Sequence, residues 1–205
     1  MDNESQYIEM TPQILAVLTI ERIASYIDDL RHEPAKWWFA IQDFDLALYS
    51  QLIASLSGPM QLGALTEDHQ KIMLDYCNSR NIEKKLPIDK NGKPLEAIAS
   101  FKQLLNRSLD SKFPFIDNSE FPLILNANQE KDILKLHAFR NNLAHVRPKS
   151  WHVEITGLPR MAQACTFAIY HLFKHCTVRF HLTGLQINKN EKNLTAIAAA
   201  LDGSS

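Results

Sequence analysis

Residues 140–148 read RNNLAHVRP, a run that gathers two arginines, two asparagines and a histidine before a proline closes it. Arginine offers a planar fork of donors matched to two phosphate oxygens and stays charged at any working pH. Histidine titrates near neutrality, so it can take or give a proton. Together, and without a carboxylate cluster, the two types suffice for metal-free cleavage of an RNA phosphodiester. The histidine assists attack by the ribose 2′-hydroxyl while the arginine neutralises the developing charge. DNA lacks that hydroxyl and is spared.

At about 100° per residue the run falls on a helix wheel. Leu136, Phe139, Leu143 and Val146 make a buried stripe that Ile133 widens. Arg140 sits on its flank, about 40° from Leu136, and His137, Asn141 and His145 follow in a polar sector of about 140°. Asn142 and Lys135 take the remaining side. A plain structural account is also open. Cations near a last turn complement the helix dipole, and an arginine at a core edge pairs with an acid such as Asp43 or Asp45, or with a carbonyl. For His145 the helix end favours imidazolium and the neighbouring arginines oppose it.

The elements that must hold this run read as helices. In TPQILAVLTIERIASYIDDLRHEP, Thr11 is a cap, Pro12 suits the first helical position and Pro34 ends the segment. Ile20, Ile23, Ile27 and Leu30 recur at helical spacing. AKWWFAIQDFDLALYSQLIASLSGP is a second helix stopped by Gly58-Pro59, and Thr66 opens a third. Residues 81–94 are a polar excursion with a turn at Asn91-Gly92, and PLEAIASFKQLLNRSL returns to helix. Residues 111–128 read as an irregular connector. QEKDILKLHAFRNNLAHVR is helical up to Pro148. SWHVEITG (150–157) reads as a short extended piece, and LPRMAQACTFAIYHLFKHCTVRFHL as one final long helix. The expectation is an all-α antiparallel bundle of five or more helices. Its single domain spans 1–188, with an irregular insertion within about 81–128, and 189–205 form a loosely attached tail.

The chain has 205 residues, 45% hydrophobic and 22% charged, with a net charge of −1. No global positive field draws it onto nucleic acid, so any anion site is local, and a specific structured RNA is the expected target. Cys77, Cys165 and Cys176 form no CxxC pair; Cys165 and Cys176 lie in apolar runs and are expected to be buried free thiols, which suits a cytoplasmic location. The opening MDNESQYIEM has no basic or apolar signal region, and no apolar run reaches membrane-spanning length.

RNNLAH resembles the R-x4-6-H signature of the HEPN superfamily: Arg140, a polar Asn141 directly after it, and His145 with four residues between. Its place late in an all-α chain is similar as well, although the insertion around 81–128 is longer than in compact members. The resemblance implies a homodimer in which two motifs face each other across one cleft. It implies a metal-independent endoribonuclease of toxin or defence type, or a member that has lost catalysis and serves as an RNA-binding or dimerising module. It implies no cofactor, and an antitoxin or nucleotidyltransferase as a further partner beside RNA. Carried onto this sequence, Arg140 and His145 are the catalytic pair. Arg140 holds the phosphate, His145 transfers protons, Asn141 orients one of them or the substrate, and Arg147 and Lys149 add phosphate contacts.

Other signals weigh less. His171 and His175 share a helix face at i, i+4 spacing, but no acidic third ligand lies in that helix, so no metal site is expected. Trp37-Trp38 suits a core or interface anchor more than a base-stacking platform. Asp43 and Asp45 fall on different faces, and the sequence does not rank them as partners of Arg140. No P-loop, dinucleotide glycine pattern or nucleophile elbow is present.

Overall fold

The computed structural model describes residues 10–58, 62–79, 97–114, 122–143 and 154–203. The excursion at 81–94, part of the 111–128 connector, and His145, Arg147 and Lys149 lie outside these residues. Among the described residues the fold is all-α, with no strand and one isolated bridge between Leu65 and Ile98. No described helix is long and apolar enough to cross a membrane.

Helix α1 (Pro12–Tyr26) begins as its sequence dictates: Thr11 Oγ1 accepts from the Ile14 amide at 3.2 Å and Pro12 occupies the first turn. The chain then tightens into 3-10 turns at Ile27–Arg31 and Pro34–Lys36 and enters α2 (Trp37–Ser57). Helix α2 is buried around most of its circumference, as a helix apolar on nearly all sides must be. Phe44, Ile41, Leu48 and Leu52 are fully enclosed, and α1, α4 (Phe101–Leu109), α5 (Ala127–Leu143) and α6 (Leu158–Phe173) pack around α2. It stops at Gly58, whose φ of 56° is cheap only without a Cβ.

Helix α3 (Glu67–Asn78) is mostly exposed; of its side chains only Gln70 is buried, donating to the Leu62 carbonyl at 3.0 Å. Beneath it the chain is drawn together. The Thr66 amide donates to Ala97 O at 2.8 Å, the Ala99 amide to Ala64 O at 2.9 Å, and buried Arg107 donates to Gly63 O and Leu65 O at 3.0 and 2.5 Å. A Cβ at Gly63 would overlap the Leu56 carbonyl oxygen, so the close approach requires glycine there. Helix α4 (Phe101–Leu109) starts on a reciprocal capping box between Ser100 and Gln103.

Helix α5 (Ala127–Leu143) carries the motif. Asn126 Oδ1 accepts from the amides of Asn128 and Gln129, and Gln129 Oε1 accepts in return from the Asn126 amide at 3.0 Å. Ile133, Leu136 and Leu143 are buried and Phe139 packs against the core, which is the stripe the wheel predicts; Val146 lies outside the described residues.

Four sequence expectations are corrected. The long final helix is two: α6 (Leu158–Phe173) ends at Lys174, and α7 (Cys176–Arg179) starts after His175 adopts an extended backbone. The break separates His171 from His175, so they do not share a helix face, and buried His175 bonds Thr177 Oγ1 at 2.9 Å. Cys165 is buried, but Cys176, at the start of α7, is exposed. Residues 189–203 are no loose tail. Helix α8 (Gly184–Asp202) opens on a Thr183–Gln186 capping box and buries Leu194, Ile197 and Leu201 against α1 and α6.

Candidate functional site

Asp45 on α2 is 4% exposed and lies under the last turns of α5. An ionised carboxylate taken from water needs partners of matching charge or donors. It finds two, both from the polar sector of α5: His137 Nδ1 at 2.7 Å from Oδ1, and Arg140 Nε at 3.5 Å from Oδ2. The other ring nitrogen of His137, Nε2, meets the Asn141 amide nitrogen at 3.0 Å, and Asn141 Oδ1 accepts from Arg140 Nη1 at 3.2 Å. Asp45, His137, Asn141 and Arg140 therefore form a closed ring of side chains.

Arg140 only donates and Asp45 only accepts, and the path between them through Asn141 and His137 runs in one sense. Arg140 donates to the Asn141 oxygen, the Asn141 amide donates to His137 Nε2, and His137 Nδ1–H donates to Asp45. This requires a neutral imidazole with its proton on Nδ1. A proton on Nε2 would face the Asn141 amide donor. Asn141 would then have to turn over, and its oxygen would leave Arg140. The imidazole plane is set from below, because Phe101 of α4 stacks on it with centroids 4.0 Å apart and 6° between planes. Tyr49 stacks on Phe101 in turn at 6.1 Å. Burial, and then the negative charge of Asp45, push the Tyr49 hydroxyl above its ordinary pKa, with Arg140 opposing. The hydroxyl stays protonated at neutral pH.

Asp43 is spent elsewhere. Its oxygens take Arg22 Nε at 2.8 Å, Arg22 Nη2 at 2.5 Å and the Tyr26 hydroxyl at 2.9 Å. Two positions along α2 is about 200° of rotation, so the neighbouring acids serve opposite sides: Asp43 faces α1 and Asp45 faces α5. Asp45 is thus the acid that supports Arg140. The Arg140 side chain stays 43% exposed, so the ion pair anchors it at the surface without enclosing it.

Of the residues expected at the site, Arg140 and Asn141 are brought together at the end of α5, while His145 and Arg147 lie outside the described residues. Trp37 is buried and Trp38 is partly exposed beside Phe39, away from the ring in the sequence and bonded into none of it. Sequence reasoning gave no role to Phe101, placed His137 only in the polar sector of the helix, and named Asp45 beside Asp43 as a candidate partner of Arg140. The signal for His137 was present, since positions 137 and 141 are one helical turn apart. For Phe101 no local signal exists, and none ranks Asp45 above Asp43.

A second charged pair on α5 faces the other way. Buried Asp132 takes Arg160 of α6 in a bidentate pair at 2.8 and 3.0 Å. It borders a cavity of about 540 Å³ between α5, α6 and α8, walled by Phe167, Tyr170, Leu194 and Ala198, which includes none of the four ring residues. No family model matches the chain, and neither a curated protein nor a solved structure matches it.

Proposed function

We propose that this chain is a metal-independent endoribonuclease of the HEPN type, a toxin or defence effector acting in the cytoplasm. In this reading the helices form a HEPN-like antiparallel bundle, two copies pair so that their motifs share one cleft, and an antitoxin or nucleotidyltransferase partner restrains them. The observation that supports it is the state of Arg140. Its Nε points to buried Asp45 and its Nη1 to Asn141, while the side chain remains exposed and keeps other N–H donors of its fork for phosphate oxygens. An arginine fixed in direction before substrate arrives stabilises developing charge without reorganisation. His145, five residues on, moves protons, and Arg147 and Lys149 contact flanking phosphates.

One observation favours a second reading, a catalytically inactive HEPN-like RNA-binding or dimerisation module: the Arg140–Asp45 ion pair gives the arginine a structural use. Incubation of purified protein with mixed tRNA and mRNA in EDTA, beside His145→Ala and Arg140→Ala, separates the two. Cleavage by the parent alone, leaving 2′,3′-cyclic phosphate ends, is the expected result. A folded, dimeric parent that leaves RNA intact turns the assignment to the inactive module.

A further inference from the structure

The ring contains a histidine that the motif does not count. We infer that His137, held by Asp45, is a second proton-transfer residue of the site, whose Nε2 takes the proton of the ribose 2′-hydroxyl. The inference rests on the ribonuclease reading and deepens it, because it supplies the base from the same chain that supplies Arg140.

Three features make His137 more than a packed ring. A carboxylate stands behind it: Asp45, itself buried, accepts from Nδ1 at 2.7 Å, which leaves the basic lone pair on Nε2 and stabilises the imidazolium once a proton arrives. The orientation is fixed, since Phe101 stacks at 4.0 Å and nearly parallel. And Nε2 points at the motif face. Its partner is the Asn141 amide, directly beside Arg140, and the imidazole side chain is 26% exposed. Here the amide of Asn141 occupies the place that a substrate hydroxyl would take.

The step then balances. The 2′-hydroxyl proton goes to His137 Nε2, the 2′-oxygen forms its bond to phosphorus, and the bond from phosphorus to the 5′-oxygen breaks. The leaving 5′-oxygen takes a proton from solvent, and His137 afterwards returns its proton to solvent. The products are a 2′,3′-cyclic phosphate and a 5′-hydroxyl, with Arg140 facing the charged phosphoryl oxygens. The charged and titratable groups around His137 are Asp45 from α2, Arg140 from its own helix, and the Tyr49 hydroxyl beyond Phe101.

The test compares ordinary RNA with RNA whose scissile 5′-oxygen is replaced by sulfur, a leaving group that needs no proton. His137→Ala is expected to lose about 10²–10⁴-fold on both substrates and to lose the acidic limb of its kcat/KM–pH profile. His137→Gln guards against misfolding: it keeps an N–H for Asp45 but has no basic nitrogen, so it is expected to melt near the parent and remain inactive. Activity of His137→Gln within about threefold of the parent overturns the inference and reduces His137 to a positioning residue. Recovery of His137→Ala on the sulfur substrate also overturns it, since that identifies an acid. A parent inactive on both substrates overturns the ribonuclease reading itself, and the inference falls with it.

Discussion

Replacing His137 should cost the fold far more than replacing Arg140, although both touch the same carboxylate. Consider His137→Ala. It removes a 2.7 Å hydrogen bond to buried Asp45, of the charge-assisted kind valued at about 1.5–3 kcal/mol. It also removes the stack on Phe101, about 0.5–1.5 kcal/mol. The sum is about 2–4 kcal/mol. Arg140→Ala removes a 3.5 Å ion pair from a side chain 43% exposed, and such pairs contribute at most about 1 kcal/mol. For a chain of this size each kcal/mol moves the melting midpoint by about 2–4 °C. His137→Ala should therefore melt roughly 5–15 °C below the parent, and Arg140→Ala within about 4 °C of it. Far-UV circular dichroism on heating, repeated in urea, reads both. Added salt should shrink the small Arg140 effect and leave the His137 effect largely intact. If Arg140→Ala destabilised as much as His137→Ala, Arg140 would be a structural pin, and its assignment to phosphate would lose its footing.

Three further outcomes follow from the packing. Arg160→Ala strips both hydrogen bonds from buried Asp132 and should lower the urea midpoint, partly restored by adding Asp132→Asn. Leu194→Ala in α8 should cost about 2–5 kcal/mol by thermal melting, whereas a loose tail would give no change. Alkaline pH should destabilise the fold. Burial and the charge of Asp43 raise the Tyr26 hydroxyl, burial and Asp45 raise Tyr49, and burial raises the Cys165 thiol, so the native state keeps protons that the unfolded chain releases. That stability is complete below the unfolded values and declines as pH climbs past about 8.5 for the thiol and about 10 for the tyrosines, and Tyr26→Phe should make the urea-midpoint slope above pH 10 shallower.

Local signals carried the helix starts and much of the core. Thr11-Pro12 and Gly58 announce their boundaries through capping and backbone chemistry that acts within a turn, and the stripe Ile133, Leu136, Leu143 follows from helical spacing. The break at Lys174 was not legible because neither proline nor glycine marks it, and the apolar run continues across it. From sequence the tail allows no more than a short, loose helix, because NKNEKN and the alanines after it look polar or small; only the contacts of α8 with α1 and α6 show which of its residues are enclosed. At the site, the polar sector of α5 could be laid out by rotation alone. The choice between Asp43 and Asp45 depends on which helix packs on each side of α2, and spacing within one helix does not encode that.

The hydrogen-bonded constriction at Ala64–Thr66 and Ala97–Ala99 has a bearing on where this chain can change. Residues 67–96 leave and re-enter through that neck, and Phe101, the platform under His137, begins just two positions after it. Because the neck already brings the two ends together, chain length inside it is nearly free: doubling it costs only about 0.6 kcal/mol. The excursion can thus drift in length and composition while the neck insulates the imidazole from it. An alteration beside the neck, at Gly63 or at Arg107 of α4, removes the fit that ties α4, which carries Phe101, to the neck. Tolerance and sensitivity meet within a few residues, at the boundary between a segment free to diversify and the platform that the candidate site stands on.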